Sequence, residues 1–220
     1  MSVIIAGTGT NVGKTMVSAA IMARYATERS THYLKPVQTG DESDTRTVLQ
    51  LSGAPPERGL PVYAEFSLPA APHLAAERAN QPIDYGALLH YVREHSRRQC
   101  TLVELAGGLM VPVMRYGTNL DLARDLALPV ILVAHTTLGT INHAVLSLMA
   151  MRQAGVFCAG VVFFGPDNAL YSDNRRTISE MSGVRILGEL LVAEGTIFSD
   201  TQFRRVAADF DRDGLIDAFL

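Results

Sequence analysis

The chain has 220 residues, 48% of them hydrophobic, and a formal net charge of −3. This length suits one α/β domain better than two, and folding at this size buries roughly 70% of the unfolded chain's surface, so no metal or disulfide staple is required. The slight negative charge gives no reason to expect nucleic acid or an anionic membrane as partner, and no apolar run reaches the ~18 residues of a membrane span.

In chain order, "VIIAG" (3–7) reads as a buried strand, followed by a helix from about Gly13 to Arg29. "HYLKP" (32–36) is a second strand, stopped by Pro36. Residues 53–82 are rich in Pro and Ala and read as a long surface excursion, of the kind that often contributes to sites in α/β enzymes. A helix is expected over Tyr85–Arg98, a strand over 100–105, a helix over Leu120–Leu126 and a strand over 129–134. A helix over Ile141–Ala154, a strand over 158–164, a helix over Ala169–Met181, a strand over 184–190 and a last helix over Phe203–Phe219 complete the pattern. Strands apolar on both faces, separated by helices, imply an α/β fold with a mostly parallel sheet covered by helices on both faces. A single domain over residues 1–220 is expected. The two cysteines, Cys100 and Cys158, have no Cys or His at metal-ligand spacing, and are expected as buried thiols of a reducing compartment. The N-terminus has no basic start or cleavage site, so a cytoplasmic location is expected.

The first strand runs into "GTGTNVGKT" (7–15). A Gly-rich turn between a strand and a helix is where backbone amides and a helix N-terminus can cradle phosphate. The amides of Asn11 to Thr15 can point inward, and Gly13 permits close approach. Lys14 can reach the β- and γ-phosphates, and the Thr15 hydroxyl is placed to ligate Mg²⁺. The loop is a variant: G-x-x-x-x-G-K-[ST] asks for glycine at position 8, which is Thr8, while glycines stand at 7 and 9. Such a site takes an acid from another strand end. Glu104 ends "TLVE" before "LAGG" (105–108), at the edge where open α/β sheets bind ligands. Asp44 lies in a polar loop, where an acid is more often solvated than a ligand. Lys35 follows the second strand, with the chain fixed behind it by Pro36. Two lysines and a metal around one polyphosphate point to phosphoryl transfer to a second anionic substrate.

With "KPVQTG" (35–40), "APHLAA" (71–76), "VELAGG" (103–108), "LPVILV" (128–133) and "LGTINHA" (138–144), most of the chain resembles the dethiobiotin synthetase family. The resemblance implies a P-loop NTPase-like fold and an ATP-dependent cyclo-ligase acting on 7,8-diaminopelargonic acid and CO₂ or bicarbonate. One amine takes up CO₂ as a carbamate, whose oxygen attacks the γ-phosphate of ATP. The second amine then closes the ureido ring on the mixed anhydride, leaving dethiobiotin, ADP and phosphate. The resemblance further implies that Thr15, Asp44 and Glu104 hold Mg²⁺, and that Thr10, Lys14 and Lys35 surround the carbamate and γ-phosphate as catalytic groups. Nucleotide contacts would come from Asn11, Val12, Gly13, Lys14, Thr15 and Met16, from Asp44, Glu104 and Gly107, and from Phe164 and Gly165. Thr39 would contact the reacting end of the substrate. Gly139, Thr140 and Asn142 would cap its carboxylate from the facing subunit, which implies a C2 homodimer. On its own terms "LGTINHA" reads as a loop opening a helix, ready for an anion.

Three positions depart from the family pattern. Asn11 stands where many members have Glu. Leu105 interrupts "VEGAGG" and must keep a negative φ or be strained. "VVFFGPDN" (161–168) lacks the Asn that reads adenine in many members, with Phe164 or Gly165 at that point, which leaves the base open to another nucleoside triphosphate. Elsewhere "DFDRDGLID" (209–217) imitates a calcium loop, but its twelfth position is Leu220; Asp209, Asp211 and Asp213 are read as exposed acids flanking the last helix. The competing function is a nucleotide-switch ATPase of the partitioning or septum-placement type, which shares the fold. That class carries an extra lysine five residues before the Gly-Lys-Thr lysine, where this chain has Gly9.

Overall fold

A computed structural model describes residues 1–193 and 195–220. From the N-terminus the elements are β1 (Val3–Gly7), α1 (Lys14–Glu28), β2 (His32–Leu34), β3 (Val37–Thr39), α2 (Asp44–Ser52), β4 (Ala64–Phe66), α3 (Pro72–Arg78), α4 (Tyr85–Arg98) and β5 (Thr101–Gly108). There follow β6 (Pro112–Met114), β7 (Gly117–Thr118), α5 (Asn119–Leu126), β8 (Val130–His135), α6 (Thr140–Gln153), β9 (Cys158–Gly165), α7 (Tyr171–Ser182), β10 (Ile186–Leu191) and α8 (Asp200–Ala207). The main sheet has six strands in the order β10-β9-β8-β1-β5-β2, and every pairing within it is parallel.

Strand periodicity sorts the core into two layers. Successive side chains on a strand go to opposite faces. Ile4 and Ala6 of β1 join the layer built with α3 to α7, whereas Val3 and Ile5 join the layer under α1, α2 and α8. All four are essentially inaccessible, which is why the strands read as continuous apolar runs rather than alternating ones. Strand β1 lies between β5 and β8. The chain builds one half of the sheet outward through β5 and β2, and the other half through β8, β9 and β10. The carboxyl end of β1 therefore opens at the switch point where such sheets bind ligands.

Several sequence expectations change here. The second strand stops at Leu34, and Val37–Thr39 leaves the main sheet to pair in parallel with β4, placing Thr39 opposite Phe66. Residues 53–82 are thus not a bare excursion: they contain β4 and α3, and α3 buries Ala75 and Ala76. Helix α2 is an element that the sequence pattern does not signal. Its N-cap Ser43 accepts a hydrogen bond from the Arg46 amide and makes Asp44 the first helical residue. The last helix ends at Ala207, and a continuation to Phe219 is barred by Asp211, whose left-handed φ of 54° no helix interior accommodates. Asp209 and Asp213 are exposed as expected, but Asp211 is buried. Its carboxylate accepts from Tyr25 Oη at 2.6 Å and from the Ile216 amide. Both cysteines are free and half-buried rather than fully buried; burial pushes the Cys158 thiol up to about 11. Among the described residues no helix is long and apolar enough to cross a membrane.

The Tyr25–Asp211 hydrogen bond fastens the C-terminal segment to α1, the helix that carries the phosphate loop. Tyr25→Phe removes one donor from a buried carboxylate and leaves the ring in place. Urea unfolding is expected to show a loss of about 1–3 kcal/mol; wild-type stability would contradict this role.

Candidate active site

The phosphate loop leaves β1 at Gly7 and enters α1 at Lys14. Two residues in it adopt left-handed backbone, Asn11 at φ 58° and Gly13 at φ 92°. Asn reaches that region more readily than a longer acid does, so Asn11 suits the turn it occupies. Gly13 is required twice over. It is the N-cap of α1 in a left-handed conformation, and a Cβ there would lie 2.2 Å from the Phe164 ring. No side chain caps α1, so its first amides remain available to an anion. Thr10 and Asn11 are exposed, Val12, Thr15 and Met16 half-buried.

Four charged groups converge at the head of α1. Lys35 is 4% exposed, with Nζ 2.7 Å from Asp44 Oδ2 and 3.0 Å from Glu104 Oε1. Thr15 Oγ1 lies 2.9 Å from Asp44 Oδ1 and 3.1 Å from the same Glu104 oxygen. Lys14, also buried, donates from Nζ to the Gly9 carbonyl at 2.9 Å. Burial lowers the Lys14 pKa to about 8, the neighbouring Lys35 adds to that, and Glu104 and Asp44 oppose it. Burial also pulls Lys35 down, but the two acids outweigh it and the net direction is upward. The two lysines therefore shift in opposite directions: Lys35, between two acids, upward, and Lys14, with a backbone carbonyl as its hydrogen-bond partner, downward.

The geometry brings Lys14, Thr15, Lys35, Asp44 and Glu104 together; for Asp44, which its loop context alone reads as solvated, only the family resemblance implies this place. Gly107 turns the end of β5 at φ 74°, where an added Cβ would sit 3.5 Å from Thr10 Oγ1. Leu105 is buried in extended β5 and is not among the residues with positive φ; the turn falls at Gly107, and Leu105 carries no strain. Phe164 packs on Gly13 and meets His135 edge-on with centroids 6.3 Å apart. Gly165 at φ 136° lies where a Cβ would be 2.6 Å from Thr136 Oγ1. Gly139 at φ 91° starts α6 without a side-chain cap, and the buried Thr140 Oγ1 has no hydrogen-bond partner. Among the described residues, no hydrogen bond or ion pair joins Gly139, Thr140 or Asn142 to the phosphate loop, to Lys35 or to Thr39 of the same chain.

Three polar residues around the acids have no role assigned from the sequence, although Gln38 lies within "KPVQTG" (35–40). Ser18 and Tyr33 both donate to Glu104 Oε2. Gln38 donates to the Glu42 carbonyl at 2.7 Å and accepts from the Asp44 amide, which fixes the loop that delivers Asp44. Periodicity could have found two of them. Ser18 is one helical turn beyond Lys14 and Thr15, and Tyr33 is two residues before Lys35, on the same face of the extended chain.

The family model described as an AAA domain matches residues 1–194. The ATP-dependent dethiobiotin synthetase BioD of Nitrobacter hamburgensis is 46% identical over 190 residues, covering 86% of this chain and 84% of that protein. The chain belongs to the dethiobiotin synthetase family. A synthetase of the same description from Rhodopseudomonas palustris strain TIE-1 is 39% identical over 218 residues, covering 98% of each chain. Among solved structures, an ATP complex of a Cyanothece McdA variant superposes with a TM-score of 0.63 at 12% identity, covering 99% of this chain and 95% of that one. A ParA family ATPase from Chlorobium tepidum reaches 0.60 at 11% identity, covering 98% and 96%. Those two likenesses bear on the fold alone; the family rests on the synthetases.

Gly13→Ala would meet both a left-handed φ and the Phe164 ring. The left-handed strain alone is worth about 1–3 kcal/mol. The variant is expected to lose thermal stability and nucleotide affinity together, read by melting curves and nucleotide titration. Wild-type values for both would contradict the packing.

Proposed function

We propose that the chain is an ATP-dependent dethiobiotin synthetase, closing the ureido ring of dethiobiotin from 7,8-diaminopelargonic acid and CO₂ at the head of α1. The observation that carries this reading is the convergence of two lysines, two carboxylates and Thr15 beside uncapped helix amides, in a chain of this family. The oxygen donors suit Mg²⁺, which is commonly held by one or two carboxylates completed by substrate phosphates and water. Thr15, Asp44 and Glu104 would hold it, and it would supply positive charge to neutralise the phosphoryl group being transferred.

The chain's own groups then have distinct tasks. The loop amides and Lys14 bind the β- and γ-phosphates; an anion beside Lys14 offsets the burial that lowers its pKa. Lys35 and Thr10 hold the carbamate formed when one substrate amine adds CO₂. With the carbamate oxygen fixed in line, it attacks the γ-phosphorus, and the bond to the ADP oxygen breaks. The second amine attacks the carbonyl carbon of the resulting anhydride, phosphate departs, and the ring closes. Charge-assisted hydrogen bonds of this kind contribute ~1.5–3 kcal/mol each. Thr39, delivered by the β3–β4 pair, borders the reacting end. Phe164 and the Gly165 backbone form the base side of the pocket. Asn168, four residues beyond Phe164, does not replace the missing adenine-reading Asn: its amide donates to the Thr136 and Pro166 carbonyls.

A homodimer completes the substrate pocket. The uncapped start of α6, with the unpartnered Thr140 hydroxyl, suits a carboxylate. Leu138, Leu146 and Met149 are exposed at 88%, 57% and 62% on the helix or at its entry, and supply apolar surface for the facing subunit.

Phosphate release, followed with purified protein, ATP and Mg²⁺, tests the reading. Rapid release is expected only when diaminopelargonate and bicarbonate are both present. Release at the same rate without the diamine would overturn it.

A further inference from the structure

Glu104 is completely buried, and four side chains reach its carboxylate. They divide by oxygen. Oε1 faces Thr15 at 3.1 Å and Lys35 at 3.0 Å, the groups of the phosphate site. Oε2 faces the interior, where Ser18 Oγ donates at 2.7 Å and Tyr33 Oη at 3.1 Å. Ser18 and Tyr33 are themselves at 0% exposure, so neither touches a ligand directly.

Three elements, α1, β2 and β5, bring these groups to one point. Tyr33 pairs in register with Leu102, two residues before Glu104 on the same face of β5. Ser18 approaches from α1, above that face. The last torsion of a Glu side chain is broad and roughly two-fold, so an unanchored carboxylate swings and exchanges its oxygens. Two donors on a single oxygen remove that freedom.

We propose that Tyr33 and Ser18 are positioning residues, anchoring Oε2 of Glu104 so that Oε1 alone is presented to the divalent cation and nucleotide. This rests on reading Glu104 as a metal ligand. Tyr33→Phe removes the hydroxyl and keeps the ring; Ser18→Ala removes the other donor to the same oxygen by an independent change of small volume.

The experiment measures Mn²⁺ binding to the full-length protein by electron paramagnetic resonance with ADP bound, alongside ADP affinity without metal. Each variant is expected to weaken Mn²⁺ roughly tenfold, the scale seen when a hydrogen-bond partner of a metal ligand is removed, and to leave metal-free ADP affinity unchanged. Glu104→Gln is the control. If it weakens Mn²⁺ while Tyr33→Phe and Ser18→Ala do not, the positioning role is wrong. If the two variants lower Mn²⁺ and metal-free ADP affinity equally, their role is merely structural and the proposal fails. If Glu104→Gln itself leaves Mn²⁺ binding unchanged, the metal-ligand reading fails first and takes this inference with it.

Discussion

A buried ammonium held between two carboxylates is the constraint on which the rest of this structure turns. Lys35 comes from the chain just past β2, Glu104 from β5 and Asp44 from the first turn of α2. Only the parallel register of the sheet and the cap of α2 bring the three together. Burying such charges is unfavourable unless each is paired, and removing one partner of a buried pair typically costs about 3–5 kcal/mol. The cluster therefore constrains the fold around it: Gln38 pins the loop before Asp44, Tyr33 and Ser18 pin Glu104, and Thr15 bridges the two acids.

The same cluster explains why the phosphate loop is electrically asymmetric. Its acids raise the Lys35 pKa, whereas Lys14 donates to a backbone carbonyl and burial lowers its pKa to about 8. On the proposed function, an incoming polyphosphate would give Lys14 the partner it lacks. Mg²⁺ would take the carboxylates that now bind Lys35 and free that ammonium to face a second anion. On the proposed function, binding of metal, nucleotide and carbamate would be linked through this one set of charges, as transfer of a phosphoryl group between two anions demands.

Much of this is legible in the chain because local chemistry signals it. Gly13, Lys14 and Thr15 follow a buried strand, which depends only on neighbours; Glu104, read as ending a strand, instead lies in the middle of β5, which runs on to Gly108. Asp44 is a weaker sequence signal because its position depends on Ser43 capping a short helix and on Gln38, a contact between residues that pattern alone does not relate. The β3–β4 pair is three residues per strand, too short to show a period. Apolar residues recur through Phe219 and so overextend the final helix, while the break at Asp211 comes with a buried hydrogen bond to Tyr25, far away in sequence. Leu105 reads as a position at risk of strain and is not strained, since the turn lies at Gly107. The sheet itself does not determine the activity: partition-type ATPases share it. The family of this chain rests on its likeness to the synthetases, not on the sheet.

The most direct measurement is a crystal structure with Mg²⁺, a non-hydrolysable ATP analogue and the diamine carbamate. Both Nζ atoms, of Lys14 and Lys35, are expected within about 3 Å of anionic oxygens on the γ-phosphate or the carbamate, with Thr15, Asp44 and Glu104 grouped around the metal. A phosphate bound while Lys35 stayed between Asp44 and Glu104, with no cation beside those acids, would contradict the convergence of charges on which the chemistry depends.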